Sequence, residues 1–191
     1  MLLQIWPEMC HADSMPRMQT QIKSRPCERS ATSEARLFRL LGEIAAAGPA
    51  GHAIGLHIGF NWPRYMLQAY SREWQEIYAR EGFVAQDPTV VWGFSNTGWV
   101  RWSDIAALGS PEVMARAAEH GCRFGCTVAI AGAATRTIAS FAHDARDFTD
   151  PEITSIAAMV RELHDLTEDD AALPPAIRSR LAQMSVRRPP A

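Results

Sequence analysis

The chain reads as an α+β fold, with a mainly antiparallel sheet covered by helices on both faces. Two hairpin patterns carry this reading. Residues 52–69 and 126–143 each pair two apolar-rich runs across a turn, and hairpins make antiparallel neighbours. Helical patterns precede the first hairpin, lie between the two and follow the second, so helices are available for either face. The 191 residues, 47% hydrophobic and 21% charged, suffice for one sizeable core and one domain.

Residues 1–30 lack periodicity and read as a flexible leader in which Met15 or Met18 could equally initiate. Leu37, Leu40, Leu41 and Ile44 fall at i, i+3, i+4 and i+7, the core stripe of an amphipathic helix that Gly48-Pro49 ends. Residues 52–60 read as a buried strand, Asn61-Trp62-Pro63 as a turn and residues 64–69 as the returning strand. A helix carrying Tyr70, Trp74 and Tyr78 follows, with Ser71 as N-cap and Gly82 as stop. Asp87 caps a short helix whose first position is Pro88. Residues 98–102 form a short strand, and Ser103-Asp104 opens a helical turn. Ser110-Pro111-Glu112 starts a helix that Gly121 stops. Strands follow at 126–131 and 137–143. Asp150-Pro151-Glu152 begins a helix with Ile153, Ile156, Val160 and Leu163 on one face. The domain is expected over residues 31–170. Residues 171–191 are expected to be a Pro/Arg-rich tail containing one short helix at 177–184.

The net charge of −2 gives no global pull toward nucleic acid or an anionic membrane. Four cysteines, Cys10, Cys27, Cys122 and Cys126, do not resemble a disulfide framework and suit a reduced cytoplasm. No window reaches transmembrane length, and the apolar opening is cut short by Pro7-Glu8.

The stretch from Tyr70 to Trp102 concentrates the chemistry. Tyr70, Trp74 and Tyr78 are four residues apart, so on a helix they share one face. Asp87 and then Trp102 follow. Costly aromatic surface around a single carboxylate suits a pocket for a small, mostly apolar molecule carrying an amide. The bland readings are a core stripe for the aromatics and an N-cap for Asp87, and a cap can also serve a pocket. His120, Cys122 and Cys126 lack a fourth ligand for a metal. Nothing marks Cys126 with His143 as an activated nucleophile.

The spacing Tyr70-x3-Trp74-x3-Tyr78-x8-Asp87-Pro88, with Trp102 fifteen residues after the acid, resembles the autoinducer-binding domain of LuxR-type quorum-sensing regulators. So do Gly121-Cys-Arg-Phe-Gly125-Cys-Thr127-Val and Ile138-Ala-Ser140-Phe141 with Asp144 and Phe148. The resemblance covers roughly residues 33–167. It implies an α/β/α sandwich around a five-stranded antiparallel sheet, of PAS/GAF-like form, binding an N-acyl-homoserine lactone without a cofactor or metal. By the same resemblance Trp74 donates to the lactone carbonyl, Asp87 accepts the ligand's amide N–H, and Tyr70 and Ser140 hold the acyl carbonyl. Trp102 packs beside the lactone, Tyr78 lines the acyl tunnel, and Thr89, Val90 and Thr127 line the pocket.

Full-length members of that family continue into a helix-turn-helix domain, and residues 171–191 carry no such pattern. Arg178, Arg180, Arg187 and Arg188 offer only weak, nonspecific attraction to DNA. The expected function is a receptor domain without enzymatic activity. It would act by sequestering the signal or as a homodimer or heterodimer with a LuxR-type regulator. The alternatives are a truncated regulator, a hydrolase using the same pocket, and a ligand-free interaction module.

Overall fold

Five strands make one antiparallel sheet: β1 (Gly51–Ile58), β2 (Pro63–Gln68), β3 (Gly98–Arg101), β4 (Phe124–Ala131) and β5 (Arg136–His143), in the spatial order β2-β1-β5-β4-β3. The computed structural model describes residues 26–60 and 62–186, with side chains from Glu34 onward. Leader residues 1–25 with Cys10, the side chain of Cys27, the turn residue Asn61, and Arg187 and Arg188 lie outside the described residues.

Strand alternation divides the sheet into two unlike faces. One carries Ile54, Leu56, Tyr65, Leu67, Cys126, Val128, Ile130, Ala139 and Phe141 into the larger core. Three helices cover it: α1 (Pro26–Ala47) with Leu37, Leu40 and Ile44, α6 (Asp150–Thr167) with Ile153, Ile156, Val160 and Leu163, and α7 (Pro175–Met184) with Ile177 and Leu181. The other face meets α2 (Arg72–Arg80), α3 (Pro88–Ser95), the single turn α4 (Trp102–Ile105) and α5 (Pro111–Glu119). A smaller core of Trp74, Phe83, Trp102, Ile105, Val113 and Ala142 lies there. The result is the expected α/β/α sandwich.

Local chemistry sets the helix starts. Ser71 Oγ accepts the Trp74 N–H, Asp87 Oδ1 accepts the Thr89 N–H at 2.7 Å, and Ser110 Oγ accepts the Glu112 N–H. Helix α6 begins with a capping box. Thr149 Oγ1 accepts the Glu152 N–H while Glu152 Oε2 accepts the Thr149 N–H at 2.8 Å. Gly82 and Gly121 take the left-handed backbone just past α2 and α5, with φ of 66° and 85°.

Four details differ from the sequence reading. Helix α1 starts at Pro26, inside the stretch read as a leader. Tyr70 is not on a helix, because it precedes the Ser71 cap and so lies two residues before the start of α2. Trp102 opens α4 instead of closing β3. The core also does not stop at residue 170. Leu173, Ile177 and Leu181, spaced four apart, are buried in it. The stripe that drives this docking is too short to stand out beside Pro174-Pro175. Beyond α7 the chain joins the outer edge of β2, where Ser185 Oγ accepts the Met66 N–H at 2.7 Å and the Val186 N–H donates to Met66 O at 2.8 Å.

Candidate functional site

A cavity of about 710 Å³ lies between the sheet and helices α2, α3 and α5. Its floor is the second face of the sheet: Ala53, Gly55 and Ile58 of β1, Met66 of β2, and Ile138 and Ser140 of β5. Strict alternation after Gly55 would put residue 57 on this floor. A bulge between Gly55 and Ile58 shifts the register, turns His57 to the other side and returns Ile58 to the cavity. His57 sits at φ 53°, a left-handed conformation disfavoured for a residue with a Cβ. Three hydrogen bonds hold it there. Its Nε2 pairs with Thr167 Oγ1 at 2.8 Å, its Nδ1 with Thr135 Oγ1 at 3.2 Å, and its N–H donates to Thr137 Oγ1 at 3.3 Å.

Two glycines let the layers close around the cavity. A Cβ at Gly125 would lie 2.4 Å from the Trp102 ring, so only glycine leaves room for that indole over β4. A Cβ at Gly93 would lie 2.7 Å from Ile138 Cγ2, so glycine lets α3 approach β5.

The polar groups gather at one end. Asp87 is buried. Its Oδ2 accepts the Tyr78 hydroxyl at 2.8 Å while Oδ1 caps α3. Burial raises its carboxyl above the usual range, opposed by the hydrogen bonds from Thr89 and Tyr78. The Tyr70 hydroxyl donates to Ser140 O at 3.4 Å. Burial holds the Tyr70 and Tyr78 phenols well above their ordinary values, so both remain donors. The Trp102 indole N–H donates to Thr127 Oγ1 at 3.1 Å, and that hydroxyl shares a hydrogen bond of 3.1 Å with Ser140 Oγ. Trp74 is wedged by a stack on His120 at 5.6 Å, by an edge-on contact with Tyr78 and by the tilted ring of Phe83. Its indole N–H has no hydrogen-bond partner among the described residues.

Of the residues singled out from the sequence, Tyr70, Trp74, Tyr78, Asp87, Thr89, Val90, Trp102 and Ser140 line this one cavity. Thr127 does not. It is fully buried beneath Trp102, bonded to Trp102 and Ser140, and reaches the cavity only through them. The sequence reading missed Met66, Val84, Phe94, Met114 and Ile138, which also line it. Ile138 was findable, two residues from Ser140 on the same strand face. The others come from unrelated elements with no shared pattern.

Cys126 faces the larger core, away from the cavity, and burial pushes its thiol up to about 12 and that of Cys122 to about 11. Neither supplies a thiolate near neutral pH. Among the described residues no three His, Cys, Asp or Glu side chains cluster as a metal site, and no helix is long and apolar enough to cross a membrane.

The family described as the autoinducer binding domain matches residues 57–166, more than half of the chain. Among solved structures, the chain is similar to the N-acylhomoserine lactone dependent LuxR family transcription factor CepR2 from Burkholderia cenocepacia. That match has a TM-score of 0.56 and 24% identity over 81% of this chain and 91% of the other. Escherichia coli SdiA matches with a TM-score of 0.55 and 20% identity, over 78% of this chain and 71% of the other. A structure of SdiA in complex with octanoyl-rac-glycerol gives 0.57 and 18%, over 75% of this chain and 62% of the other. These likenesses show a shared fold. No curated protein matches the chain. With the family match spanning the cavity-lining helices and strands β2 to β5, the chain belongs to the autoinducer-binding domain family of LuxR-type quorum-sensing regulators.

Proposed function

We propose that the cavity binds an N-acyl-homoserine lactone and that this domain works as a receptor, without turnover. The observation that carries the reading is a buried carboxylate, Asp87, together with the Trp74 indole N–H, which has no hydrogen-bond partner among the described residues, both lining a mainly apolar cavity. The ligand has one amide N–H, two carbonyl groups and an apolar tail. Asp87 accepts the amide N–H, Trp74 donates to the lactone carbonyl, and Tyr70 and Ser140 hold the acyl carbonyl. Trp102 and Tyr78 enclose the head, with Thr89 and Val90 as wall. Thr127 acts behind them, orienting Trp102 and Ser140.

The test is to purify the protein with and without short, long and aryl acyl-homoserine lactones, follow thermal stability, and identify the extracted ligand by mass spectrometry. Stabilisation by at least one lactone, recovered unchanged after long incubation, is expected. No stabilisation by any of them overturns the reading, and recovery of an opened lactone or a free acid turns it toward a hydrolase. We further propose a dimer, either of this chain or with a LuxR-type regulator, as the output. Co-expression with a full-length regulator and co-purification in the presence of ligand tests that step, and elution as a ligand-bound monomer under all conditions would leave signal sequestration as the output.

A further inference from the structure

Resting on that reading, we infer that the site selects a long acyl tail of roughly ten to fourteen carbons, with Gly55 and Val186 as the specificity-determining residues. The polar end meets the sheet at one row, where Ser140, whose carbonyl accepts the Tyr70 hydroxyl, pairs from β5 with Ala53 of β1, and Ala53 with Gln68 of β2. From there the floor continues along the strands through the row Ile138, Gly55 and Met66 to the row of Ile58 and Pro63. None of those five residues brings a side-chain hydrogen-bond donor to the floor, so this part of the track suits an apolar tail.

The length of the track follows from the register. Ser140 pairs with Ala53 and Arg136 with Ile58, so the floor runs four residues of β5, about 13 Å at the usual strand rise. An extended hydrocarbon advances roughly 1.3 Å per carbon, from C–C bonds of about 1.5 Å. About ten carbons therefore reach the Ile58 row. Two features then define the end. Arg136 is tied to the carbonyls of Gly93 and Asn96 at the end of α3, which closes the β5 side. On the β1–β2 side the lining residues Trp62 and Val186 are 39% and 41% exposed, so the cavity meets solvent there. A tail a few carbons longer than the floor covers these side chains, and a shorter one leaves them wet.

Gly55 and Val186 act at different points along the tail. A Cβ at Gly55 would come within 3.2 Å of Ile58 Cδ1 and 3.6 Å of Pro63 Cβ, so a side chain there fills the track. Val186 is pinned to the β2 edge by its backbone bond to Met66 O at 2.8 Å, which holds its side chain at the mouth.

The test measures binding of butanoyl, octanoyl, dodecanoyl and hexadecanoyl homoserine lactones to the full chain, with the matching monoacylglycerols as head-group controls. Affinity is expected to rise by up to about fourfold per buried methylene to the dodecanoyl compound and then level off. Gly55→Leu should weaken dodecanoyl binding by tenfold or more, in order of magnitude, while butanoyl binding is retained and reports the fold. Val186→Asp, at an exposed site, should weaken the dodecanoyl compound alone. Tightest binding of the butanoyl compound, or affinity independent of length, overturns the inference and leaves the lactone reading standing. Length-dependent binding of the acylglycerols without binding of any lactone supports the tail track and removes the lactone reading. No length dependence in either series overturns the inference.

Discussion

Asp87 serves the fold and the site with different oxygens. Oδ1 caps α3 and Oδ2 takes the Tyr78 hydroxyl, so its orientation is set before any ligand arrives. Its burial raises the carboxyl pKa, which means the charged form is disfavoured in the folded protein until a further donor is supplied. Asp87→Asn keeps an acceptor at the cap and removes the charge. The ligand-free protein should be at least as stable by urea denaturation, while ligand affinity falls by about 1.5–3 kcal/mol, the worth of a hydrogen bond to a charged group. Loss of stability without loss of affinity would make Asp87 a structural cap alone. Thr127 makes the complementary case. Thr127→Val keeps the shape but leaves the buried Trp102 N–H without its acceptor, at a cost of about 1–3 kcal/mol. The same change frees Ser140 Oγ from its partner. Thermal unfolding should show the loss in the ligand-free protein, where a pure pocket-wall residue would show none.

At the scale of elements, helix α7 and the bulge in β1 matter most. Helix α7 lies beyond the stretch that resembles the family, yet Ile177 and Leu181 are fully buried against β2 and α6's side of the sheet. Leu181→Ala should therefore cost about 2–5 kcal/mol, as for other buried leucines. A denaturation midpoint equal to that of the parent would show that α7 does not belong to the cooperative unit. The bulge sends Ile58 to the cavity and His57 to the opposite layer. There His57 lies 4.6 Å, ring to ring, from His164, whose Nδ1 pairs with Thr137 Oγ1 at 2.8 Å. The floor of the cavity is thus held in register from the far side of the sheet, by α6 through Thr167 and by the β4–β5 turn through Thr135.

For the whole molecule that arrangement has a pH consequence. Burial, together with His164 and Arg64, and against Asp170, lowers His57 to about 4; burial also lowers His52 and His164. The unfolded chain takes up these protons near pH 6.5 and the folded chain does not. Stability is therefore full above about pH 6.5 and is lost as pH falls toward 4. The raised carboxyl of Asp87 acts in the opposite sense at the acid end, since its deprotonation costs the folded state. Urea midpoints should fall between pH 7 and pH 5. His57→Asn, a residue that tolerates the left-handed backbone, should be less stable at pH 7 but lose less on acidification. Equal pH slopes in the two proteins would exclude His57 as the group responsible. Ligand binding couples to the same global stability, because a ligand that binds only the folded chain adds to its free energy by mass action.

The order of elements, most of the caps and the residues at the polar end were all legible in the linear chain. Helical stripes, a serine or aspartate before a proline, and the spacing of Trp74, Asp87 and Trp102 depend on neighbours within a few residues or on a long-range pattern already present in the sequence. What was not legible depends on which distant segments meet. Tyr70 left the helix for the residue before its cap and still faces the cavity. Thr127 passed from wall to support because Trp102, brought over Gly125, covers it. The segment after residue 170 proved to be core and cavity rim because β2 presents Leu67 to α7 and a free edge to Ser185. Register, bulges and edge pairing place side chains from opposite ends of the chain on one surface, and no local periodicity encodes those meetings.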